Sequence, residues 1–292
     1  MSFLNNAITG VSLGSIYAII ALGYTMVYGI AKMLNFAHGD VIMVGAYVCF
    51  FAMGNFNLPP AAGVVLAVVV CTVLGMVIER LAYKPLRAAP SLAVLITAIG
   101  VSYLLQNGAQ ILWGAATKTF PPIVTGSLVL VPGQLSISYV AILSVACCVV
   151  VMAALTAFTG RTKLGKAMRA CSEDKGAAQL MGINVDSTIS MTFAIGSALA
   201  AIAGVLMCSA YPVLSPTTGS MPGIRAFTAA VFGGIGSVPG ALLGGILLGV
   251  IETFAKAYIS TDLSDAVVFA VLIVVLLVRP AGLLGRYVPE KV

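Results

Sequence analysis

The chain has 292 residues, 60% of them hydrophobic and only 8% charged, with a mean hydropathy of +1.10 and a formal net charge of +6. Soluble domains carry roughly 25% charged residues, so this composition excludes a soluble surface, and in such a chain the positive charge reports orientation rather than nucleic-acid binding. Repeated apolar runs of about 20 residues match the ~30 Å of hydrocarbon that a membrane helix crosses, and they lack the alternation of barrel strands.

The first ten residues, MSFLNNAITG, have no basic region and no small-residue cleavage site, so they are not expected to form a cleaved signal peptide. A first apolar run covers residues 7–30. It ends at the polar break 32–40, which holds Lys32, Asn35, Phe36, His38, Gly39 and Asp40. A shorter run, 41–53, leads to a turn at 55–60 marked by Asn and Pro. The third run, 61–81, ends in Glu79 and Arg80, and a basic loop with Lys84 and Arg87 leads past Pro90 to the fourth, 91–113. Residues 114–138 read as a mostly uncharged loop with Pro121, Pro122, Pro132 and Gly133.

After a fifth run, 139–159, comes the only long polar interval, residues 160–186. It holds Arg161, Lys163, Lys166, Arg169 and Lys175 with Glu173, Asp174 and Asp186. Within it, Ser172, Glu173 and Asp174 are expected to start a short helix, with acids in a first turn favoured by the helix dipole. Lys175 to Met181 continue that helix, and Gly182 ends it. The sixth run, 187–210, is followed by a Pro/Gly/Ser/Thr-rich loop at 211–223 and a short apolar piece at 224–232. A Gly-rich break at 233–240, which includes Gly236, precedes two more runs, 241–259 and 263–278. At ~1.5 Å per residue the piece 224–232 spans about half the hydrocarbon.

Placing residues 160–186 in the cytoplasm and alternating sides leaves only Lys118, Arg225 and Lys256, of fifteen Lys/Arg, outside. That bias follows the positive-inside rule. The expected fold is all-α: a polytopic integral membrane protein with about eight transmembrane helices plus a short half-helix. The N-terminus is outside, the C-terminus is cytoplasmic, and residues 1–292 form one domain. Two helix–break–helix patterns, around 35–40 and 233–240, suggest an internal repeat of the kind that marks a transport path.

Catalytic chemistry finds no footing. Residues 160–167 fit GxxxxGK but carry Ala167 where Mg²⁺ binding needs Ser or Thr, and they follow a span rather than a strand. One histidine and nine acids spread along the chain make no metal motif, no acid–base pair and no nucleophile elbow. The six cysteines form no CxxC pair and read as small buried hydrophobes. Gly236, Gly240 and Gly244, like Gly245 and Gly249, recur at a spacing that lets helices approach closely in lipid. They serve either internal packing or else a pore lining or subunit seam.

The break at 35–40 also has two readings. Asp40 caps the helix beginning at Val41, or Asn35, Phe36, His38 and Asp40 line a path, since polar groups at such a break need protein or water around them. Gln106 and Asn107, late in the fourth run, are either interhelical glue or contacts on that path. The loop helix is either a solvated linker or a docking element that presents Ala177, Ala178, Leu180 and Met181.

Four stretches occur in order: YTMVYGI at 24–30 with NFAHGD at 35–40, GKAMRACSEDKGAAQLMGI at 165–183 followed by FAIGSALAAIAGVL at 193–206, AFTAAVFGGIGSVPG at 226–240, and the tail. Together they resemble the LivH-type permease of branched-chain amino acid ABC importers, over about residues 10–285. The resemblance implies a permease of the bacterial inner membrane that moves leucine, isoleucine or valine. Its implied partners are a second, LivM-like permease, two ATPase subunits and an extracytoplasmic (periplasmic) amino acid binding protein. The chain itself binds no cofactor, while the ATPase subunits use ATP and Mg. Residues 160–186 are then the coupling loop, with Glu173, Asp174, Ala177, Ala178, Leu180, Met181 and Gly182 toward the ATPase. The alternative is a stand-alone secondary transporter or channel for a small polar solute, for which Glu252 is the nearest candidate relay.

Overall fold

The computed structural model describes residues 2–87, 89–131 and 135–285. Within them lie α1 (Ser2–Ala31), α2 (His38–Gly54), α3 (Pro60–Ile78), α4 (Ser91–Trp113), α5 (Tyr139–Arg161), α6 (Lys163–Glu173), α7 (Lys175–Leu180), α8 (Val185–Ala210), α9 (Ser220–Gly233), α10 (Val238–Tyr258) and α11 (Ser264–Val278). A π-helical turn, Glu79–Tyr83, and a 3₁₀ turn, Lys84–Leu86, prolong α3. The third span therefore runs past the Glu79–Arg80 boundary expected from sequence. Among the described residues six helices are long and apolar enough to cross a membrane: α1, α3 with its extension, α4, α5, α8 and α10. With 17 and 15 residues, α2 and α11 are apolar but shorter.

Local chemistry sets the helix starts. Pro60 follows an extended Pro59 at the start of α3, where the missing amide hydrogen costs nothing. Ser138, Thr162, Asp174, Asn184 and Ser237 each accept a backbone N–H from the first turn of α5, α6, α7, α8 and α10.

The loop at 114–138 departs from expectation. Ser127–Val131 (β2) and Leu135–Ser138 (β3) pair antiparallel, with an irregularity at Val129–Val131. Lys118–Thr119 (β1) pairs with Val213–Leu214 (β4). The Leu/Val run of β2 and the Leu-Ser-Ile-Ser of β3 suit a short ribbon, so the all-α description holds for the helical body but not for this end. Pro132 and Gly133 lie outside the described residues, as do Arg286 and Lys291 of the tail.

The core is arranged around α1 and α8. α1 packs on α10 as α8 packs on α3; α2 lies on α8 as α9 lies on α1; α2 neighbours α3 as α9 neighbours α10. The unit α1–α3 is thus matched by the unit α8–α10. This corrects the expected register of the repeat. The break at 32–37 corresponds to residues 211–219, which precede α9, and the break at 233–240 corresponds to the turn before α3. Glycine permits the approach of α1 to α10, where a Cβ on Gly249 would stand 2.2 Å from the Gly14 nitrogen.

One end of the bundle, the loop end, gathers α6, α7, the N-terminus of α8 and the C-termini of α1 and α3. It is joined by Lys175 to the Ala31 carbonyl and by Arg87 to Asp186. The opposite, hairpin end holds β2 and β3 beside Asn5, Thr9 and Ser209. The final described residues close α9: Leu283 and Leu284 donate N–H groups to the carbonyls of Phe232 and Gly233 at 3.0 and 2.9 Å. Those carbonyls lack partners within their own helix.

Candidate functional site: a polar helix junction and an exposed loop

α2 does not begin at the bundle end where α1 stops. The chain leaves α1 at Lys32, runs without regular structure to a turn at Phe36–Ala37, and starts α2 at His38. His38 is buried beside the middle of α1, with its ring 4.6 Å from that of Tyr24. α9 likewise starts inside the bundle, against the start of α2. The two backbones are so close that a Cβ on Gly219 would stand 1.8 Å from the Gly39 carbonyl oxygen. Only glycine fits there.

At this meeting point Asp40 is almost completely buried, and its Oδ1 accepts a hydrogen bond from Gln106 Nε2 at 2.9 Å. The same Gln106 amide lies 3.2 Å from Ser220 Oγ and 3.3 Å from Ser102 Oγ. One polar network therefore ties the starts of α2 and α9 to α4. The capping reading of Asp40 is not what the structure has. The N-cap position is Ala37, no side chain caps it, and Asp40 sits in the first turn. There its carboxylate still faces the positive end of the helix.

Of the path residues expected from sequence, Asn35, Phe36, His38, Asp40 and Gln106 come together. Asn35 is buried and its Oδ1 accepts from the Tyr83 hydroxyl at 2.8 Å. Phe36 packs on Phe227 of α9 at 5.4 Å between ring centroids. Asn107 is not in the network; it is exposed and donates to the Tyr103 carbonyl one turn back. Gly236, with φ +95°, lies at the other break, beside Gly29. Sequence reading missed Tyr24, Tyr83, Ser220 and Gly219. Ser220 sits in a stretch whose composition reads as loop, and Tyr24 enters only as part of the stretch YTMVYGI, with no role of its own.

The polar interval folds as two helices rather than one. Glu173 ends α6, so the helix expected to start at Ser172 does not. Asp174 instead breaks the chain and caps α7, accepting from Gly176 N at 2.7 Å and Ala177 N at 3.0 Å. Gly182 closes α7 with φ +83°. α6 is amphipathic and buries Gly165, Met168 and Cys171 against the bundle. Ala178 is 4% exposed, which corrects its assignment to a partner-facing surface. Leu180 and Met181 are 90% and 83% exposed and stand free beside exposed Glu173, Asp174 and Ala177.

Lys175 is half-buried where α7 meets the end of α1. Desolvation first, then the nearby Arg87 and Lys32 cations, push its pKa below the ordinary lysine value.

Two charged clusters also went unread. Glu79 is fully buried and engages Arg87, while Ser190 Oγ donates to its Oε2 at 2.5 Å. Glu252 is fully buried too. Its Oε1 accepts from Arg225 at 2.8 Å and from Lys256 at 2.5 Å, and Oε2 has no partner among the described residues. Arg225 reaches Asp265 and the Tyr17 hydroxyl as well, so α9 is pinned to α1, α10 and α11. The sequence signal was available: Arg225, Glu252, Lys256 and Asp265 are ionisable residues in or beside apolar runs, which calls for mutual pairing.

The family model described as "Branched-chain amino acid transport system / permease component" matches residues 6–276. The chain is 47% identical to the high-affinity branched-chain amino acid transport system permease protein LivH of Escherichia coli K12, an alignment that covers 99% of this chain and 98% of the relative. It is 46% identical to the corresponding protein BraD of Pseudomonas aeruginosa, with the same coverage. A probable LivH of Methanocaldococcus jannaschii is 29% identical over 93% of this chain and 89% of its own length. Four motifs in order, a helical body with six spans of membrane length, and matches running nearly end to end lead to one conclusion: the chain belongs to the family of branched-chain amino acid transport system permease components.

Proposed function

We propose that this chain is the membrane-spanning subunit of an ATP-driven importer that carries leucine, isoleucine or valine across the bacterial inner membrane. Eight helices, counting α2 and α11, cross the membrane, and the short α9 with the segment before it makes one further passage, so the N-terminus is outside and the C-terminus in the cytoplasm; residues 1–292 form a single permease domain. A second related permease completes the path. Two ATPase subunits bind and hydrolyse ATP with Mg, and an extracytoplasmic binding protein delivers the amino acid. The chain itself catalyses nothing. Its loop 160–186 receives the ATPase, with exposed Leu180 and Met181 as the apolar contact and Glu173, Asp174 and Ala177 around it.

The observation that carries this reading is the junction of α2 and α9. Both helices begin inside the bundle, and their starts meet at Gly39 and Gly219 beside the Asp40–Gln106–Ser220 network. Interrupted helices with polar groups at their inner ends are how transporters hold a polar solute in the membrane. A stand-alone ion-coupled carrier draws less support, because the buried acids Glu79 and Glu252 are engaged by Arg87, Arg225 and Lys256, which leaves Asp40, held by the Gln106 amide, as the buried acid without a cation among the described residues.

The test is reconstitution in vesicles with both permeases, the ATPases and the binding protein. Radiolabelled leucine should accumulate only when ATP and binding protein are both present. Accumulation by this chain alone, without ATP, would overturn the reading.

A further inference from the structure

The break between α1 and α2 is fastened at two points. Tyr83 holds its middle through Asn35. Its beginning is held by Lys175, whose Nζ donates to the Ala31 carbonyl at 2.7 Å. Ala31 is the last residue of α1, and its carbonyl is one of the four that a helix end leaves unsatisfied. The next residue, Lys32, has φ +57°, a left-handed conformation that is strained for a residue with a side chain. The path residues Asn35, Phe36, His38 and Asp40 follow within nine positions of that bond.

Lys175 is also the first residue of α7 and follows its cap, Asp174. Among the described residues its hydrogen bond is the only side-chain one that joins α6 or α7 to a helix distant in sequence. A displacement of α7 therefore pulls directly on the strained turn where α1 gives way to the break.

We propose that Lys175 is a positioning residue that transmits movement of the loop to the α1–α2 break, and so links nucleotide-driven closure to opening of the path. This rests on the importer reading above. The mechanism needs a donor at position 175, with enough reach to hold the Ala31 carbonyl. A purely structural lysine would also stabilise the loop, but it would not set how much solute moves per ATP.

The experiment uses the complete complex in vesicles with wild-type chain, Lys175→Met or Lys175→Arg. Leucine uptake and ATP hydrolysis are measured together. Leucine uptake by the wild-type complex tests the importer reading separately. Given that uptake, Lys175→Met should keep binding-protein-stimulated hydrolysis while uptake per ATP falls about fivefold or more, the range of single coupling energies. Lys175→Arg, which keeps a donor, should restore the ratio. An unchanged ratio in Lys175→Met, uptake and hydrolysis falling in proportion, loss of assembly, or no rescue by Lys175→Arg would each overturn the proposal.

Discussion

Ala178 and Leu180 lie two positions apart on α7 and meet opposite surroundings. Ala178 is packed against the bundle, and an arginine there would force a charge into a space that fits a methyl group. Leu180 and its neighbour Met181 touch little of the chain itself, so a charge there alters only what docks on them. Leu180→Asp combined with Met181→Asp should therefore leave the melting temperature of the purified chain within about 1–2 °C, in line with the ±0.5 kcal/mol usual for surface changes. The same double variant should lose co-purification of the ATPase. Ala178→Arg should lower the melting temperature of the isolated chain, because overpacking alone costs about 1–3 kcal/mol and a buried unpaired charge adds to it. Equal melting temperatures for Ala178→Arg and wild type would return Ala178 to the partner surface. Sequence alone identified this stretch as water-facing, since its charges stand out in an apolar chain. It did not identify which face turns inward, because a helix of two turns with alanines on both sides has no periodic signal.

At the scale of elements, small residues decide which helices touch. Gly245 and Gly249 of α10 lie against Ala18 and Gly14 of α1, while Gly75 of α3 lies against Ser197 of α8. Lipid offers no hydrophobic drive for helix association, so close backbone approach supplies the packing energy. Gly249→Val would place its first side-chain carbon 2.2 Å from the Gly14 nitrogen and push α1 away from α10. The isolated chain should lose about 1–3 kcal/mol, read as a clear drop in its melting temperature in detergent. Gly108→Val in α4 is the matched control. An added carbon there meets nothing within 4 Å, so a comparable drop in both variants would mean that close contact is not the cause. The four-residue spacing in α10 was legible in the sequence, but its partner was not. Spacing marks a face without saying what covers it, and α1 lies more than two hundred residues away. The β-hairpin at Ser127–Val131 and Leu135–Ser138 was missed for a different reason: its few apolar residues sit among prolines and glycines that read as loop.

For the whole molecule, the matched packing of α1–α3 and α8–α10 bears on orientation. α1 and α10 run antiparallel: Gly10 meets Val250 and Gly14 meets Ile246. α3 and α8 do the same, with Cys71 near the Gly45–Ala201 contact and Gly75 at Ser197. The loop end holds the C-termini of α1 and α3 with Lys32, Lys84, Arg87 and the five basic residues of 160–186. The hairpin end holds Lys118 and the start of α1. The basic groups thus gather at one end of the folded bundle, and by the positive-inside rule this supports the orientation proposed above, with that end in the cytoplasm. Arg225 and Lys256, which parity put outside, are the exceptions; both pair with Glu252, and Arg225 also with Asp265. The break positions were harder to read. Asn35 to Asp40 announced themselves by polarity, but their counterpart is the Ser/Thr-rich stretch before Ser220, not the glycine break that resembled them. Reporters active on one side only, fused before Ser2 and after Val292, test the orientation. The N-terminal fusion should be active outside and the C-terminal fusion inside. Both reporters active on the same side would require α2 or α11, the two short apolar helices, to enter and leave on one face instead of crossing.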